Sequence, residues 1–406
     1  MDDAGAQTRD REAQAREYNP FTAGNDGDPY DDYRWLRDTH PLYHSTRHGF
    51  YAVSRFEDVR AISRDWKTYS TAEGVDIDHG EEAGGPNFLG EEPPEHNYWR
   101  RLFQPRFTAK AIRESLADVI DREVTRLFDL ALHGAPDTVD LGEQFAWELP
   151  IAVTGHLMGV PKADQHALSE DLRLFQERDE GDTLAPKRSR DAAERMVGYV
   201  SELVRERRKN PTDDLISLLA TAEKDGRPLS DNVVTGNAVF FLDAGTHTTS
   251  CLISQALVLL DRHRSQREFL IANLDRVDDA IEEVLRYESP AKFLRRTTTA
   301  DVVLYDQTVP AGSSMFMLYC AANRDERKWP DADTFDLSRE LQRHMGFGEG
   351  IHFCLGAPIA RFEATKALSA ILERIPNYEI CGPLERMQSH MMNGYTSIPV
   401  AVNSTP

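Results

Sequence analysis

The stretch GFGEGIHFCLGAPIARFE, residues 346–363, decides the fold of this chain. One cysteine, Cys354, is surrounded by four glycines, which are Gly346, Gly348, Gly350 and Gly356. Glycine has no Cβ, so the backbone around the cysteine can approach another group very closely. A helix is predicted to begin directly after Cys354, with Pro358 in its first turn, and the free N–H groups of a helix start favour a thiolate. The stretch therefore predicts a thiolate in a glycine-lined loop, suited to bind a soft metal ion.

Few other metal-binding residues lie near Cys354 in the sequence, and this favours one kind of metal site over another. A zinc site needs further Cys or His ligands at local spacing, and only His352 is close in sequence. The remaining cysteines are far apart and form no CxxC pair, which also argues against a disulfide framework; they are Cys251, Cys320 and Cys381. Heme brings its own ring of nitrogens and needs one protein ligand, and a thiolate below its iron favours O–O cleavage.

The pattern Phe347-Gly348-x-Gly350-x-His352-x-Cys354-x-Gly356 resembles the heme-binding loop of the cytochrome P450 family, in its soluble bacterial class. The resemblance runs from about residue 20 to the C terminus. It implies one domain, mainly α with small β-sheets, in which heme b lies between a central long helix and the helix after the cysteine. Cys354 is then the ligand of the iron. The loop alone leaves a buried cysteine beside a glycine-rich turn as the alternative.

Hydrophobic periodicity also favours an α+β arrangement. The longest predicted helix runs from Asp231 to His263, and two more cover 274–290 and 355–376. A further helix is predicted at 56–65, and short strands are predicted at 48–55, 301–305 and 313–319. We expect residues 1–20 to form a polar, poorly ordered arm and residues 21–406 to form a single heme-thiolate domain.

Charge and composition exclude several classes of function. The 406 residues carry 47 Lys and Arg against 68 Asp and Glu, a net charge of -21, which disfavours binding to nucleic acid or to anionic membranes. No stretch of eighteen uncharged apolar residues is present, and the N-terminal residues lack the apolar core of a secretory signal. We therefore expect a cytoplasmic protein that acts on a small molecule.

A second motif lies upstream of the cysteine loop. Glu283 and Arg286 are three residues apart, the spacing at which an ion pair forms along a helix. Read alone, such a pair indicates a surface bridge. Its position resembles the ExxR motif of the family, which implies a structural role, and the resemblance adds Arg339 from the segment ANRDERKWPDADTFDLSRE as the third member.

The two propionates of heme require cationic or hydrogen-bonding groups from distant segments. The resemblance assigns this role to His96 and Arg100 in PPEHNYWRRLF, to Arg296 in FLRRTTTAD and to His352 in the cysteine loop. Each of them, read alone, is a surface charge or a core histidine. Phe347, Gly348 and Gly356 complete the heme-binding residues of the loop.

The central helix carries the segment Ala244-Gly245-Thr246-His247-Thr248-Thr249. By resemblance, Ala244 and Gly245 border the heme and Thr248 is the catalytic alcohol that helps to deliver protons to the distal oxygen. Relatives carry Asp or Glu where this chain has His247, which either relays protons through water or faces neighbouring helices. Asp243, one turn earlier, is spaced to meet His247 or to face the distal pocket.

The resemblance assigns an apolar substrate pocket to six side chains, which are Phe88, Leu89, Phe240, Phe293, Leu294 and Met391. Core packing explains several of them equally well. The pocket loop at 72–92 is acidic, which together with Asp243 disfavours a carboxylate substrate. Its acidic residues are Glu73, Asp76, Asp78, Glu81 and Glu82.

Electrons are expected to come from NAD(P)H through a ferredoxin reductase and a ferredoxin. Peroxide-driven fatty-acid relatives place an arginine in the central helix, and this chain has none between Asp231 and Leu260. A basic segment at 100–113 is the expected docking site for an acidic ferredoxin. Its cations are Arg100, Arg101, Arg106, Lys110 and Arg113.

The sequence thus predicts a heme-thiolate monooxygenase that uses O2 and two electrons. We expect hydroxylation, epoxidation or oxidative dealkylation of an apolar or aromatic small molecule, with secondary metabolism as one setting, by a monomer. Two alternatives stay open. The altered distal segment leaves room for oxidative coupling without oxygen insertion, and a heme protein that binds or senses a gas without turnover is the alternative from another class.

Overall fold

The computed structural model describes residues 16–22, 29–77, 85–134, 137–340 and 342–402, and within these residues it contains thirteen α-helices. The first six are α1 (Tyr30–Thr39), α2 (Phe56–Arg64), α3 (Glu95–Phe103), α4 (Ala109–Ala131), α5 (Glu148–Met158) and α6 (Gln165–Phe175). The others are α7 (Lys187–Lys209), α8 (Leu215–Thr221), α9 (Asp231–Arg262), α10 (Arg264–Ala272), α11 (Val277–Tyr287), α12 (Tyr319–Ala322) and α13 (Ala357–Arg374). A π-helical turn, Gly142–Trp147, leads into α5.

The same residues form fourteen short strands. Seven precede residue 300, namely β1 (Leu42–Ser45), β2 (Phe50–Val53), β3 (Tyr69–Ser70), β4 (Thr138–Asp140), β5 (Glu223–Lys224), β6 (Arg227–Pro228) and β7 (Phe293–Thr298). Seven follow it, namely β8 (Val302–Leu304), β9 (Gln307–Val309), β10 (Ser314–Leu318), β11 (Glu379–Ile380), β12 (Glu385–Arg386), β13 (Tyr395–Ser397) and β14 (Pro399–Ala401). The mainly helical fold with small sheets is as predicted.

The central helix α9 forms the middle of the core. It begins at Ser230, whose side chain accepts a hydrogen bond from the backbone N–H of Val233, and Asp231 adds a negative charge to the first turn. The cap is therefore Ser230 rather than Asp231, which instead pairs with Arg208 at 2.7 Å. Most of α9 is buried on all sides, because α5, α7 and α13 pack around it.

The largest sheet joins distant parts of the chain. Its strand order is β1-β2-β10-β7-β3, and β10 is parallel to β2, with Ser314 opposite Phe50, while the other neighbours are antiparallel. All five residues of β10 are buried, as expected for a central strand. A smaller sheet, β11-β14-β4, connects the C-terminal segment to the residues before α5.

The observed elements differ from the predicted ones mainly at their ends. The helix predicted at 274–290 contains a 3₁₀ turn at Leu274–Arg276 and ends at Tyr287, before Pro290, because the residues preceding a proline disfavour the helical conformation.

Tyr18 lies within the predicted N-terminal arm, but it is 3% exposed and packs against Tyr33 and Tyr43. The packed part of the chain therefore begins before residue 21, whereas residues 1–15 lie outside the described residues. In the described part of the chain, no helix is both long and apolar enough to cross a membrane.

Candidate active site

The cysteine loop is fixed by its own backbone and by α2. The N–H of Cys354 donates to the carbonyl of Phe347 at 3.0 Å. Gly348 and Gly350 have φ angles of +66° and +77°, a region that favours glycine. A Cβ at Gly350 would lie 2.4 Å from the carbonyl oxygen of Ser63 in α2, so glycine is needed there for close approach as well. Gly356 ends the loop and precedes α13.

The surroundings of Cys354 act on its thiol in both directions. Burial raises the pKa of the Cys354 thiol, and the smaller effects of the Gly356 N–H and of Arg100 lower it. The N–H groups at the start of α13 therefore favour the thiolate, as the sequence analysis expected, while burial disfavours it. Coordination to a metal ion deprotonates a thiol outright.

The three predicted structural residues come together in the core. Both oxygens of Glu283 accept from Arg286 at 2.7 Å, and the two side chains are 1% and 2% exposed. Arg339 donates its Nε to Glu283 at 3.4 Å. Arg286 and Arg339 also donate to backbone carbonyls of the segment 323–334. The cluster thereby ties α11 to the segment that leads into the cysteine loop.

The predicted propionate ligands form a cationic cluster beside that loop. The rings of His96 and His352 are 4.9 Å apart, and Arg100 donates to the carbonyls of Ile351 and Phe353. Arg296 is 3% exposed, and among the described residues it forms a single hydrogen bond, to the carbonyl of Arg295. Both ring nitrogens of His96 and Nδ1 of His352 are buried without a hydrogen-bond partner.

Burial determines the charge of this cluster. It lowers the pKa of His96 to about 4, with His352 and Arg100 adding to the effect, and it also lowers the pKa values of Arg296 and His352. The one carboxylate close by is Glu92, 3.8 Å from His352 among the described ion pairs. Buried donors that lack partners are costly. An anion with several acceptor oxygens would satisfy them.

The middle of α9 has one partly exposed stripe within an otherwise buried helix. It includes Phe240, Asp243, Ala244 and Thr248, at positions i, i+3, i+4 and i+8, which share one face, and Gly245 beside them. The hydroxyl of Thr248 donates to the carbonyl of Ala244 at 2.8 Å, and α9 is continuous through this turn.

Gly245, predicted to border the heme, has a packing role in the structure. A Cβ at this position would lie 2.8 Å from Oγ1 of Thr154 in α5. The absence of a side chain therefore allows α5 and α9 to approach each other closely. The resemblance, which places Gly245 at the border of the heme, does not reveal this contact.

Asp243 and His247 form a pair. Nδ1 of His247 lies 2.9 Å from Oδ1 of Asp243, and the His247 ring packs edge-on against Trp147 at 5.1 Å. His247 is 1% exposed and its Nε2 is buried without a partner, whereas the Asp243 side chain is 17% exposed. The amide of Gln176, at the end of α6, donates to both oxygens of Asp243 at 3.0 and 3.1 Å.

The predicted pocket residues differ in where they lie. Phe88 contacts Phe240 of the stripe edge-on at 5.4 Å, and Leu89 is partly exposed beside it in sequence. Met391 belongs to the main apolar cluster of the core, and Leu294 packs against that cluster. Phe293 is 0% exposed and stacks on Phe316 in a separate cluster. Successive side chains of β7 point to opposite faces, so the residue next to Leu294 faces away from it.

The predicted acidic loop is largely neutralised where it is described. Asp76 lies 2.7 Å from Nε2 of His390 and 3.6 Å from Arg178, and Glu73 pairs with Arg295 at 3.2 Å. The remaining acidic residues, Asp78, Glu81 and Glu82, lie outside the described residues. Asp243, by contrast, pairs with no lysine or arginine in the described part of the chain.

The predicted docking segment is less available than its charge indicated. Arg100 faces inward onto the cysteine loop, and Arg106 pairs with Asp213 at 2.6 Å. Arg101, Lys110 and Arg113 are exposed. Arg113 also lines a groove of about 400 Å³ between α4, α11 and α13, together with Arg361 and Phe362.

Three residues of the site were missed by sequence reasoning, namely Gln176, Trp147 and Glu92. Each contributes through a contact between segments that are distant in sequence, and none belongs to a local motif. Of the three, only Glu92 has a feature in the sequence that could have indicated it, because it lies four residues before His96 in the segment GEEPPEH.

The residues present fit heme. The loop residues Phe347, Gly348, His352, Cys354 and Gly356 are all partly exposed, as are the stripe residues of α9. The helix that follows the cysteine, α13, packs against α9, so the thiol and the stripe belong to adjacent elements. The buried donors of His96, Arg296 and His352 match the chemistry of two propionates. Among the described residues, no cluster of three or more His, Cys, Asp and Glu could hold a metal ion.

Comparison with known proteins identifies the family. The profile of the Cytochrome P450 family matches residues 182–376. The chain is 33% identical to the cytochrome P450 monooxygenase PikC of Streptomyces venezuelae, over 92% of this chain and 91% of that protein. It is also 33% identical to the cyclomarin C epoxidase CymV of Salinispora arenicola, over 91% and 95%. The crystal structure of CYP109E1 from Bacillus megaterium in complex with testosterone superposes with a TM-score of 0.85 at 27% identity, covering 93% of this chain and 98% of that one. The chain therefore belongs to the cytochrome P450 family and is a heme-thiolate monooxygenase.

Proposed function

We propose that this monooxygenase uses O2 and two electrons from protein partners to hydroxylate, epoxidise or oxidatively dealkylate an apolar or aromatic small molecule. The observation that supports the proposal best is the partly exposed stripe of α9, which combines the apolar Phe240 and Ala244 with the polar Asp243 and Thr248. A site that only binds a gas has no need of two polar groups placed for proton delivery.

Heme held by Cys354 would supply the activation of oxygen. The residues of this chain would hold the heme in place and deliver protons to the oxygen site. His96, Arg100, Arg296 and His352 would hold its propionates. We propose that Thr248 and the Asp243–His247 pair deliver protons to the oxygen site. Asp243 is the partly exposed member of the pair, whereas His247 is buried against Trp147. His247 then acts through Asp243.

The predicted pocket residues support an apolar substrate. Phe88, Phe240, Leu294 and Met391 are hydrophobic, and apolar walls with a few polar groups are typical of small-molecule sites. CYP109E1, which shares the fold, was solved with testosterone, a compact apolar molecule. CymV is an epoxidase, which supports epoxidation as one of the reaction types.

We propose that electrons come from NAD(P)H through a ferredoxin reductase and a ferredoxin, and that the protein works as a monomer in the cytoplasm. The exposed cations Arg101, Lys110 and Arg113 near the start of α13 would attract an acidic ferredoxin. Attraction of this kind acts mainly on the association rate and is weakened by salt.

The proton-delivery proposal is tested with His247→Ala. We expect a larger fraction of the NADPH electrons to appear as hydrogen peroxide, because Asp243 loses the partner that orients it. The measurement is peroxide released per NADPH consumed, with surrogate ferredoxin partners and a ligand found by heme spin-shift screening, and with 18O2 to detect oxygen insertion. A changed solvent deuterium isotope effect on coupling would mark proton transfer rather than misfolding.

The matched control is Thr249→Ala, which changes a buried residue of the same helix outside the stripe. Unchanged coupling in His247→Ala would remove His247 from proton delivery. A coupled product without 18O would indicate oxidative coupling instead of oxygen insertion.

A further inference from the structure

Asp243 has a property that proton delivery does not require. It is a partly exposed carboxylate on the stripe of α9 that also carries Phe240, Ala244 and Thr248, and no lysine or arginine of the described residues pairs with it. Its remaining partners are His247 and the neutral amide of Gln176. An apolar molecule that covered this carboxylate would bury it without compensation, which is unfavourable.

The geometry of the carboxylate leaves one oxygen available. Gln176 donates to Oδ1 at 3.0 Å and to Oδ2 at 3.1 Å. Nδ1 of His247 lies 2.9 Å from Oδ1 and 3.3 Å from the backbone carbonyl oxygen of Asp243, and no other described group contacts Oδ2. A carboxylate oxygen has two lone pairs, so Oδ2 retains one acceptor site. Gln176 and His247 come from two different helices and hold the carboxylate in one orientation.

The two described acids of the predicted pocket loop differ from Asp243. Asp76 is paired with His390 and Arg178, and Glu73 is paired with Arg295 and is 61% exposed. Asp243 has no lysine or arginine partner among the described residues, and it shares the stripe with Thr248.

We propose that Asp243 anchors a cationic nitrogen of the substrate, so that the natural substrates are apolar or aromatic molecules that carry a basic amine. The proposal rests on the proposed function and specifies its substrate class. A cation beside Oδ2 compensates the buried charge, and the distance between nitrogen and oxidised carbon then determines which position reaches Thr248. Neutral molecules of the same shape bind without this compensation and should bind more weakly.

The test compares two probes that differ only in charge. Trimethyl(4-phenylbutyl)ammonium carries a permanent charge and no lone pair, so it cannot ligate iron, and 5,5-dimethyl-1-phenylhexane is its neutral isostere. Dissociation constants are measured on the holoenzyme by Soret shift and by equilibrium dialysis. We expect the cation to bind at least about tenfold more tightly than the isostere, and Asp243→Asn to remove most of that difference.

Two control variants test whether the preference for the cationic probe comes from Asp243. Glu73→Gln makes the same change of charge on the predicted pocket loop, and it should leave the ratio between the probes unchanged. Asp243→Ser is a second variant, used in case Asp243→Asn disturbs the position of Gln176. For every variant, the reduced carbon monoxide spectrum reports whether the heme-thiolate site is intact.

Equal affinities of the two probes for the wild-type enzyme, or an equal preference for the cation in wild type and both Asp243 variants, would overturn the inference. Either result leaves the proposed monooxygenase function standing if the carbon monoxide spectrum and coupled NADPH consumption are normal. Loss of the thiolate-type spectrum in the wild type would instead contradict the proposed function itself.

Discussion

Glu363 is a carboxyl group enclosed by the core. It lies on α13, is 1% exposed, and its Oε1 has no hydrogen-bond partner in the structure. Burial raises the pKa of Glu363 to about 8, from an ordinary value of 4.5. The folded protein therefore holds a proton at neutral pH that the unfolded chain releases.

This proton makes stability depend on pH. Between about pH 4.5 and 8 the unfolded chain binds fewer protons at this residue than the folded one, so the free energy of unfolding falls as pH rises, by up to about 1.4 kcal/mol per unit. Glu363→Gln removes the titration, and we expect the variant to gain stability relative to wild type at pH 8 but not at pH 4.5. Melting temperatures followed by circular dichroism at both pH values provide the measurement.

Glu373→Gln is the control, because it changes an exposed glutamate of the same helix. The same pH dependence in wild type and Glu363→Gln would show that Glu363 is ionised in the folded protein.

Residues in local motifs could be predicted from the sequence, and residues that act across segments could not. Cys354 and the pair Glu283–Arg286 stand at short fixed spacings, so their roles follow from the order of the chain. Gln176 reaches Asp243 only because α6 ends beside α9, and Trp147 reaches His247 from the π-helical turn before α5. Spacing shows that Asp243 and His247 can meet, but it does not show which of them is exposed.

The cysteine loop packs against α2. Gly350 contacts the backbone at Ser63, and buried Glu349 pairs with Arg60 on α2 at 3.3 Å. Gly348 also has a positive φ, but a Cβ there would meet only Tyr319 Oη, at 3.6 Å. The two glycines therefore share a conformation and differ in the space around them.

Replacing each glycine by alanine separates these two effects. Both variants carry the cost of a left-handed conformation, about 1–2 kcal/mol, but only Gly350→Ala must also move the loop away from α2. We expect Gly350→Ala to lose more heme and to melt at a lower temperature than Gly348→Ala. The ratio of Soret to protein absorbance after purification measures heme retention. Equal retention in both variants would mean that contact with α2 does not position the loop.

The ends of elements were harder to predict than their existence. The helix after Cys354 was expected at 355–376 and spans Ala357–Arg374, because Gly356 and Ile375 serve as its caps and lie outside its helical turns. Hydrophobic periodicity reports buried faces, and it continues into the 3₁₀ turn before α11.

Across the whole molecule, one buried junction connects segments that are far apart in sequence. Asp76 contacts His390 near the C terminus and Arg178 after α6. The N–H of Arg178 donates to the carbonyl of Gln388, and that of Gly181 to the carbonyl of Phe21. Although burial acts in the opposite direction, His390 and Arg178 hold the pKa of Asp76 below its ordinary value of 3.8.

Asp76→Asn should loosen this junction, because it removes the charge that both cations share. The stabilisation that the carboxylate provides is present above pH 3.8 and is lost as pH falls through the lowered pKa, so wild type should loosen in the same way only in acid. We expect faster backbone hydrogen exchange at 176–181 and 388–392 and a loss of roughly 1–3 kcal/mol at pH 7. Glu73→Gln, a neighbouring exposed acid, is the control and should leave exchange there unchanged.

The fold as a whole could be predicted because the resemblance covers nearly the entire chain, whereas this junction could not. Asp76 was interpreted as part of a solvated acidic loop, since a run of acids is usually exposed. Only the tertiary structure brings His390 and Arg178 to it.

The parallel pairing of β2 with β10 has a consequence for synthesis. Strands from opposite ends of the chain form one sheet, with Phe50 opposite Ser314. The hairpin of β1 and β2 leaves the ribosome early, but its second edge has no partner until β10 emerges, and unpaired edges invite aggregation. The cysteine loop, which must seat Gly350 against Ser63, emerges later still. Translation must therefore pass the cysteine loop at 346–356 before the nascent chain can close a pocket around heme.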